Sequence, residues 1–153
     1  MIRAEWSIAA TGRYVGSTTA IMETKMPSAE AVRATVAQYI TCMSTTDREG
    51  WINLFADDAT VEDPVGAEIK TGHIEIGEFW DFVHTLSPIV TMVPTGPVRV
   101  ADGQAAFPFQ IINDFGGTQM ELDIIDVMTF AEDAKIQTMR AFWDMADMRM
   151  VEK

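Results

Sequence analysis

One thirteen-residue stretch, Leu54 to Gly66, constrains the chain more than any other: LFADDATVEDPVG. It opens as the end of an amphipathic helix, breaks at Ala56-Asp57-Asp58, restarts as a short strand from Ala59 to Asp63, and stops at Pro64. Side chains alternate between the two faces of a strand. Ala59, Val61, Asp63 and Val65 therefore share one face, and Thr60 and Glu62 share the other. The three apolar residues mark the first face as buried, and Asp63 sits among them. Pro64 biases Asp63 towards an extended backbone. A carboxylate among apolar neighbours costs free energy unless something satisfies it.

Other segments of the chain can supply that partner. Pro27-Ser28 is a helix start, with Ser28 as N-cap. A first helix over about 28–44 places Val32, Val36, Tyr39, Ile40 and Met43 on one stripe. Tyr39 thus lies on a core face, where its hydroxyl needs a partner. Thr46-Asp47-Arg48-Glu49 resembles a capping box opening a second helix over about 47–55, with Trp51, Leu54 and Phe55 inward. A third helix over about 73–85 carries Ile76, Phe79, Trp80 and Val83 on its apolar stripe.

From Pro88 the texture changes to strands at about 89–94, 97–101, 104–114, 118–130 and 135–143. Asp102-Gly103 and Gly116-Gly117 are hairpin signals, and Ala131 to Ala134 form a third turn. Helices first and a strand meander afterwards indicate an α+β fold: a curved antiparallel sheet with three N-terminal helices on one face. In the strand over 118–130, Met120, Leu122, Ile124, Met128 and Phe130 share a face with Asp126, a second carboxyl group in an apolar row. The next strand turns Met139, Ala141 and Trp143 one way and Arg140 and Phe142 the other.

Tyr39, Asp63 and Asp126 each have a plainer reading. The tyrosine could be an ordinary core residue, and either aspartate a structural acceptor or a period misread by one position. Together they could form a buried network that pushes pKa values apart and supplies acid and base roles. Other candidates are weaker. His73 and His84 lack a metal-site spacing, Asp57-Asp58 reads as capping or solvated, and Cys42 has no histidine nearby in sequence.

Composition narrows the class. With 48% hydrophobic and 22% charged residues the chain is globular, and its formal charge of −12 argues against nucleic acid and anionic membrane as partners. No apolar run approaches the roughly 18 residues of a spanning helix. Cys42 stands alone, compatible with a reducing, cytoplasmic setting. The 11 methionines suit an adaptable apolar pocket as well as a gap-filled core. Residues 1–26 have no clear period and lack the pattern of a secretory signal, so we expect a loose extension followed by one domain over 27–153.

The string LFADDATVEDPVG resembles the corresponding stretch of bacterial ketosteroid isomerases (steroid delta-isomerases). Gln38-Tyr39, Ala105-Ala106-Phe107-Pro108-Phe109, Ile125-Asp126 and Met139-Arg140-Ala141-Phe142-Trp143 extend the match over about residues 27–143. The wider nuclear-transport-factor-2-like superfamily, with SnoaL-type cyclases and limonene epoxide hydrolases, shares the fold but seldom this string. The resemblance implies a conical, cystatin-like α+β barrel, a homodimer, and an apolar steroid pocket with neither metal nor cofactor. By position it makes Asp63 the general base and Tyr39 and Asp126 the oxyanion-hole donors. Phe107, Phe109, Trp143, Trp80 and Met128 are expected to line the pocket. The implied reaction moves a β,γ double bond into conjugation with a ketone. A cyclase or epoxide hydrolase on the same cone, or a non-catalytic binder of apolar ligands, is the alternative. Two departures stand out: Trp80 occupies the third-helix position expected to face Tyr39, and Asn113 replaces an expected pocket aromatic.

Overall fold

The computed structural model describes residues 25–152. The expected extension up to residue 24 lies outside the described residues. Helix α1 runs Ala29–Thr45 and is capped by Ser28, whose hydroxyl accepts from the Ala31 N–H at 3.1 Å. Val32, Val36, Tyr39 and Met43 are its buried stripe, as the spacing predicts. Helix α2 is shorter than expected, Arg48–Ile52. Its cap is Asp47, which accepts from the Gly50 N–H at 2.9 Å, while Thr46 turns left-handed at φ 59°. It ends early because Leu54 and Phe55 join the sheet: the Leu54 carbonyl accepts from the Ile136 N–H at 2.8 Å, and Phe55 pairs with Ile136. Asp57 and Asp58 therefore do not close a helix. They lie exposed within strand β1, Phe55–Glu62.

After β1 the chain forms β2 (Lys70–Thr71) and α3 (Gly72–Leu86). The first turn of α3 is closed by Glu75, whose carboxylate accepts from the Thr71 N–H at 2.7 Å. Strands β3 (Thr91–Pro94), β4 (Arg99–Ala101), β5 (Gln104–Asp114), β6 (Thr118–Phe130) and β7 (Ile136–Phe142) follow, each within two residues of its predicted bounds. A one-turn 3-10 helix, Met145–Asp147, leads into β8, Met148–Glu152. Neither β2 nor β8 was expected, being too short or too irregular for a period to show.

The sheet order is β2-β1-β7-β6-β5-β3, with β4 added to β5 and β8 to β6. The long hairpin β5–β6 pairs from Gln104↔Thr129 to Asp114↔Gln119. Each of its strands is too long for one neighbour: β5 carries β4 and β3 at its two ends, and β6 carries β7 and β8. The sheet is mixed, not purely antiparallel as the strand meander suggests. β1 runs parallel to β7, with Val61↔Met139 and Glu62↔Arg140. Parallel neighbours need a long crossover. Here α3 and the β3–β6 meander supply it, which turn signals alone do not reveal.

The inner sheet face and the helices share one core containing Val36, Trp51, Phe55, Ile76, Phe107, Met128 and Ile136. The opposite face carries Ile125 and Phe142, 49% and 43% exposed and directly paired across β6 and β7. Ile136 is fully buried where β7 meets β1. Ile136→Ala should cost about 2–5 kcal/mol, the usual range for such a truncation in a well-packed core. Urea denaturation would show a lower midpoint with unchanged slope, and an unchanged midpoint would place the core elsewhere.

Candidate active site

Three elements bring the candidate residues to one end of the sheet. Asp126 lies on the inner face of β6, paired with Phe107 of β5 on one side and Ala141 of β7 on the other. Asp63 follows β1 by one residue, beyond the Glu62↔Arg140 pair, and the Val65 N–H donates to the Ala141 carbonyl at 2.8 Å. Asp63 and Asp126 therefore flank Ala141 from opposite sides, two strand spacings or roughly 10 Å apart in backbone. Tyr39 approaches from α1 across the core. Its ring packs on Trp51 (5.6 Å between centroids), Phe55 (6.4 Å) and Phe107 (6.5 Å).

The two carboxyl groups meet different surroundings. Asp126 is 1% exposed, and neither of its oxygens has a hydrogen-bond partner among the described residues. Burial, reinforced by the charge of Asp63, holds its pKa well above the ordinary carboxyl range. Asp63 is only partly buried, and its Oδ1 accepts from the Trp143 indole N–H at 2.6 Å. Burial raises its pKa, and the Trp143 N–H opposes that rise. The Tyr39 phenol is pushed well above its usual pKa, first by burial and then by Asp126 and Asp63. The phenol and the Asp126 carboxyl thus interact at short range without a closed hydrogen bond between them. The three residues chosen by facing form one electrostatically coupled group.

Phe107, Phe109 and Met128 are buried beside it, and Phe107 packs on Phe109 at 5.7 Å. Trp143, expected as a pocket-lining residue, also holds Asp63. Facing alone could not show this, because the bond joins positions 80 residues apart. The expectation that Trp80 faces Tyr39 needs correction. Trp80 stacks on His84 at 4.0 Å and packs on Trp51 at 5.0 Å, so Trp51 is the indole against Tyr39. Asn113 is buried at the other end of β5. With its amide oriented to donate, it bonds Ser87 Oγ at 2.9 Å and the Ile89 carbonyl at 3.1 Å, tying β5 to the α3–β3 connection.

A cavity of about 420 Å³ opens at Asp63, lined by Val61, Ala67, Glu68, Lys70, Glu78, Phe79 and Phe82; Asp63 is the one coupled group in its lining, and the expected wall residues Phe107, Phe109, Trp143, Trp80 and Met128 are not part of it. A larger hollow of about 530 Å³ between α2 and α3 contains none of the three coupled groups and is a surface depression beside His73. His73 is engaged with the Phe55 carbonyl at 2.9 Å, and among the described residues no His, Cys, Asp and Glu side chains gather into a metal-holding cluster.

The raised Asp126 pKa has a sign that can be tested. Between the ordinary carboxyl value, about 4, and the raised one, the folded chain keeps a proton that the unfolded chain has released. Stability therefore falls as pH rises through that window. Asp126→Asn cannot ionise, so its stability relative to wild type should improve as pH rises from about 4 upwards. Urea midpoints of both proteins over a pH series would show this. A constant difference at every pH would mean that Asp126 titrates normally.

Comparison with known proteins places the chain in a family. The SnoaL-like domain family matches residues 36–139. A protein of Nocardioides simplex named Steroid Delta-isomerase is 40% identical over 117 residues, 76% of this chain and 93% of that protein. Among solved structures, SalBIII, described as an epoxide hydrolase/cyclase-like enzyme in pyran ring formation in the polyether salinomycin, superposes with a TM-score of 0.72 at 26% identity. That match covers 80% of this chain and 97% of the neighbour. With the helix-covered curved sheet and the inward Tyr39, Asp63 and Asp126, this chain belongs to the SnoaL-like family of the nuclear-transport-factor-2-like superfamily, among the relatives of steroid delta-isomerase.

Proposed function

We propose that this protein is a steroid delta-isomerase-like enzyme that moves a β,γ double bond into conjugation with a 3-keto group, with a small apolar ketone as substrate. The observation that carries the reading is the unequal carboxyl pair: Asp126 deeply buried with neither oxygen bonded among the described residues, Asp63 at the cavity and held by Trp143. A carboxyl kept neutral by burial offers one O–H to a ligand oxygen. A carboxylate at a cavity wall can remove a proton.

In this mechanism Asp63 abstracts the proton α to the carbonyl and returns it at the γ carbon. No atom is gained or lost by the substrate. The intermediate is a dienolate, and the negative charge develops on its oxygen. Tyr39 and neutral Asp126 donate hydrogen bonds to that oxygen, each such donor contributing on the order of 3 kcal/mol to lowering the barrier. The buried Phe107, Phe109 and Met128 keep the surroundings of Tyr39 and Asp126 apolar, and Trp80 packs on Trp51. The chemistry calls for neither metal nor cofactor.

The structural neighbour makes epoxide opening or cyclisation the second reading. Such a hydrolase needs an Asp-Arg-Asp cluster. Arg140 instead pairs with Glu62 at 2.8 Å on the outer sheet face, and Arg99 is exposed on β4. This favours the isomerase over the hydrolase. We further propose one domain over 27–153, a cytoplasmic setting, and a homodimer through the outer sheet face around Ile125 and Phe142. No described helix is long and apolar enough to cross a membrane.

The purified full chain, given a β,γ-unsaturated 3-ketosteroid, should generate conjugated-enone absorbance. Asp63→Asn should fold and bind but lose roughly 10²–10⁴-fold in turnover. Asp126→Asn keeps an N–H donor and should retain much of the activity, whereas Asp126→Leu should cost on the order of a hundredfold. Undiminished turnover in Asp63→Asn, or wild-type rates in Asp126→Leu, would sink the assigned roles. Light scattering at micromolar concentration should report a dimer, and a monomer would reject the proposed interface.

A further inference from the structure

Trp51 is fully buried, yet its indole N–H has no hydrogen-bond partner among the described residues. An unpaired buried donor costs about 1–3 kcal/mol, so its position asks for a reason. Three rings pack on this indole: Phe55 at 4.7 Å, Trp80 at 5.0 Å and Tyr39 at 5.6 Å. Of the three, Tyr39 alone carries an acceptor oxygen. Phe55 and Trp80 hold the indole in place, and Trp80 is in turn stacked on His84 at 4.0 Å.

We propose that the Trp51 indole N–H is a positioning donor to the phenolic oxygen of Tyr39, closing a hydrogen bond as that phenol donates to a substrate oxygen. The catalytic consequence rests on the isomerase reading; the contact itself does not. A donor on the phenolic oxygen polarises its O–H and strengthens the bond it makes onward. Catalytic hydrogen bonds are commonly long at rest and tighten as charge develops. Charge placement around Tyr39 supports this role. Burial, Asp126 and Asp63 all oppose negative charge on the phenol, and the Trp51 N–H is the group that favours it. An apolar core residue could fill the same volume without that effect.

The chain has two tyrosines, so Tyr14→Phe leaves Tyr39 as the sole reporter. In that background, Trp51 would be replaced site-specifically by 3-benzothienylalanine, which keeps the indole's shape and removes its N–H. The ring-carbon (Cζ) resonance of labelled Tyr39 should shift, because it senses hydrogen bonding at the phenolic oxygen. With β,γ-unsaturated ketosteroid, kcat should fall roughly three- to tenfold, the scale of one net hydrogen bond, with KM little changed. Trp51→Phe should show the same split between kcat and KM. An unmoved Tyr39 resonance overturns the contact. A shifted resonance with intact kcat overturns the positioning role. Absence of turnover in the unsubstituted chain would reject the isomerase reading instead, and the resonance would still decide whether Trp51 bonds Tyr39.

Discussion

The burial of the Asp126 carboxyl is the constraint on which the site depends. A carboxyl group with neither oxygen bonded is expensive to hide, and ionising it there costs more still. The fold tolerates it because β6 is held along its whole length, by β5 on one edge and by β7 and β8 on the other. Asp126 cannot turn outward without moving Leu122, Ile124, Met128 and Phe130 with it, since all five share one strand face. The apolar majority therefore sets the position of the polar minority. Asp63 escapes the same fate because it lies past the end of β1, at a cavity mouth and within reach of the Trp143 N–H. Burial raises the pKa of both carboxyl groups, but strand position leaves Asp126 without the N–H donor that holds Asp63 back.

Legibility in the sequence follows from the range of the interactions involved. Asp126 and Tyr39 were readable because a long strand and a long helix repeat their facing several times, and one polar residue in such a row is conspicuous. The strand bounds of β5 and β6 were readable from their turns. The parallel β1–β7 pair was not, because it joins segments separated by a helix and a meander, and no local period encodes the partner. The early end of α2 has the same origin: Phe55 fits a helical stripe, but pairing with Ile136 outweighs propensity over so few residues. The assignment of roles to Asp63, Tyr39 and Asp126 came from resemblance; facing alone left each a plainer explanation.

Indole donors were the least legible part. Trp143 on Asp63 and Trp51 beside Tyr39 are both large apolar residues to any pattern reading, yet each carries one N–H, and what that N–H can reach depends on the three-dimensional arrangement. A tryptophan on a core face therefore counts twice, as volume and as a single directed donor. Near two carboxyl groups and a phenol, the second property matters more than the first.

The likeness to an epoxide hydrolase/cyclase-like enzyme shows why the shared cone does not decide the chemistry. What differs between reactions on one fold is which charges face inward. Arg140 stands between the inward residues Met139 and Ala141 on β7, so alternation sends it outward, and Glu62 on the parallel neighbour fixes it there at 2.8 Å. Bringing it to the cavity would require a one-residue slip of β7, which would expose Met139 and Ala141 and break the register with both β1 and β6. Arg140 is thus kept away from Asp63 and Asp126 by the same strand geometry that buries Asp126.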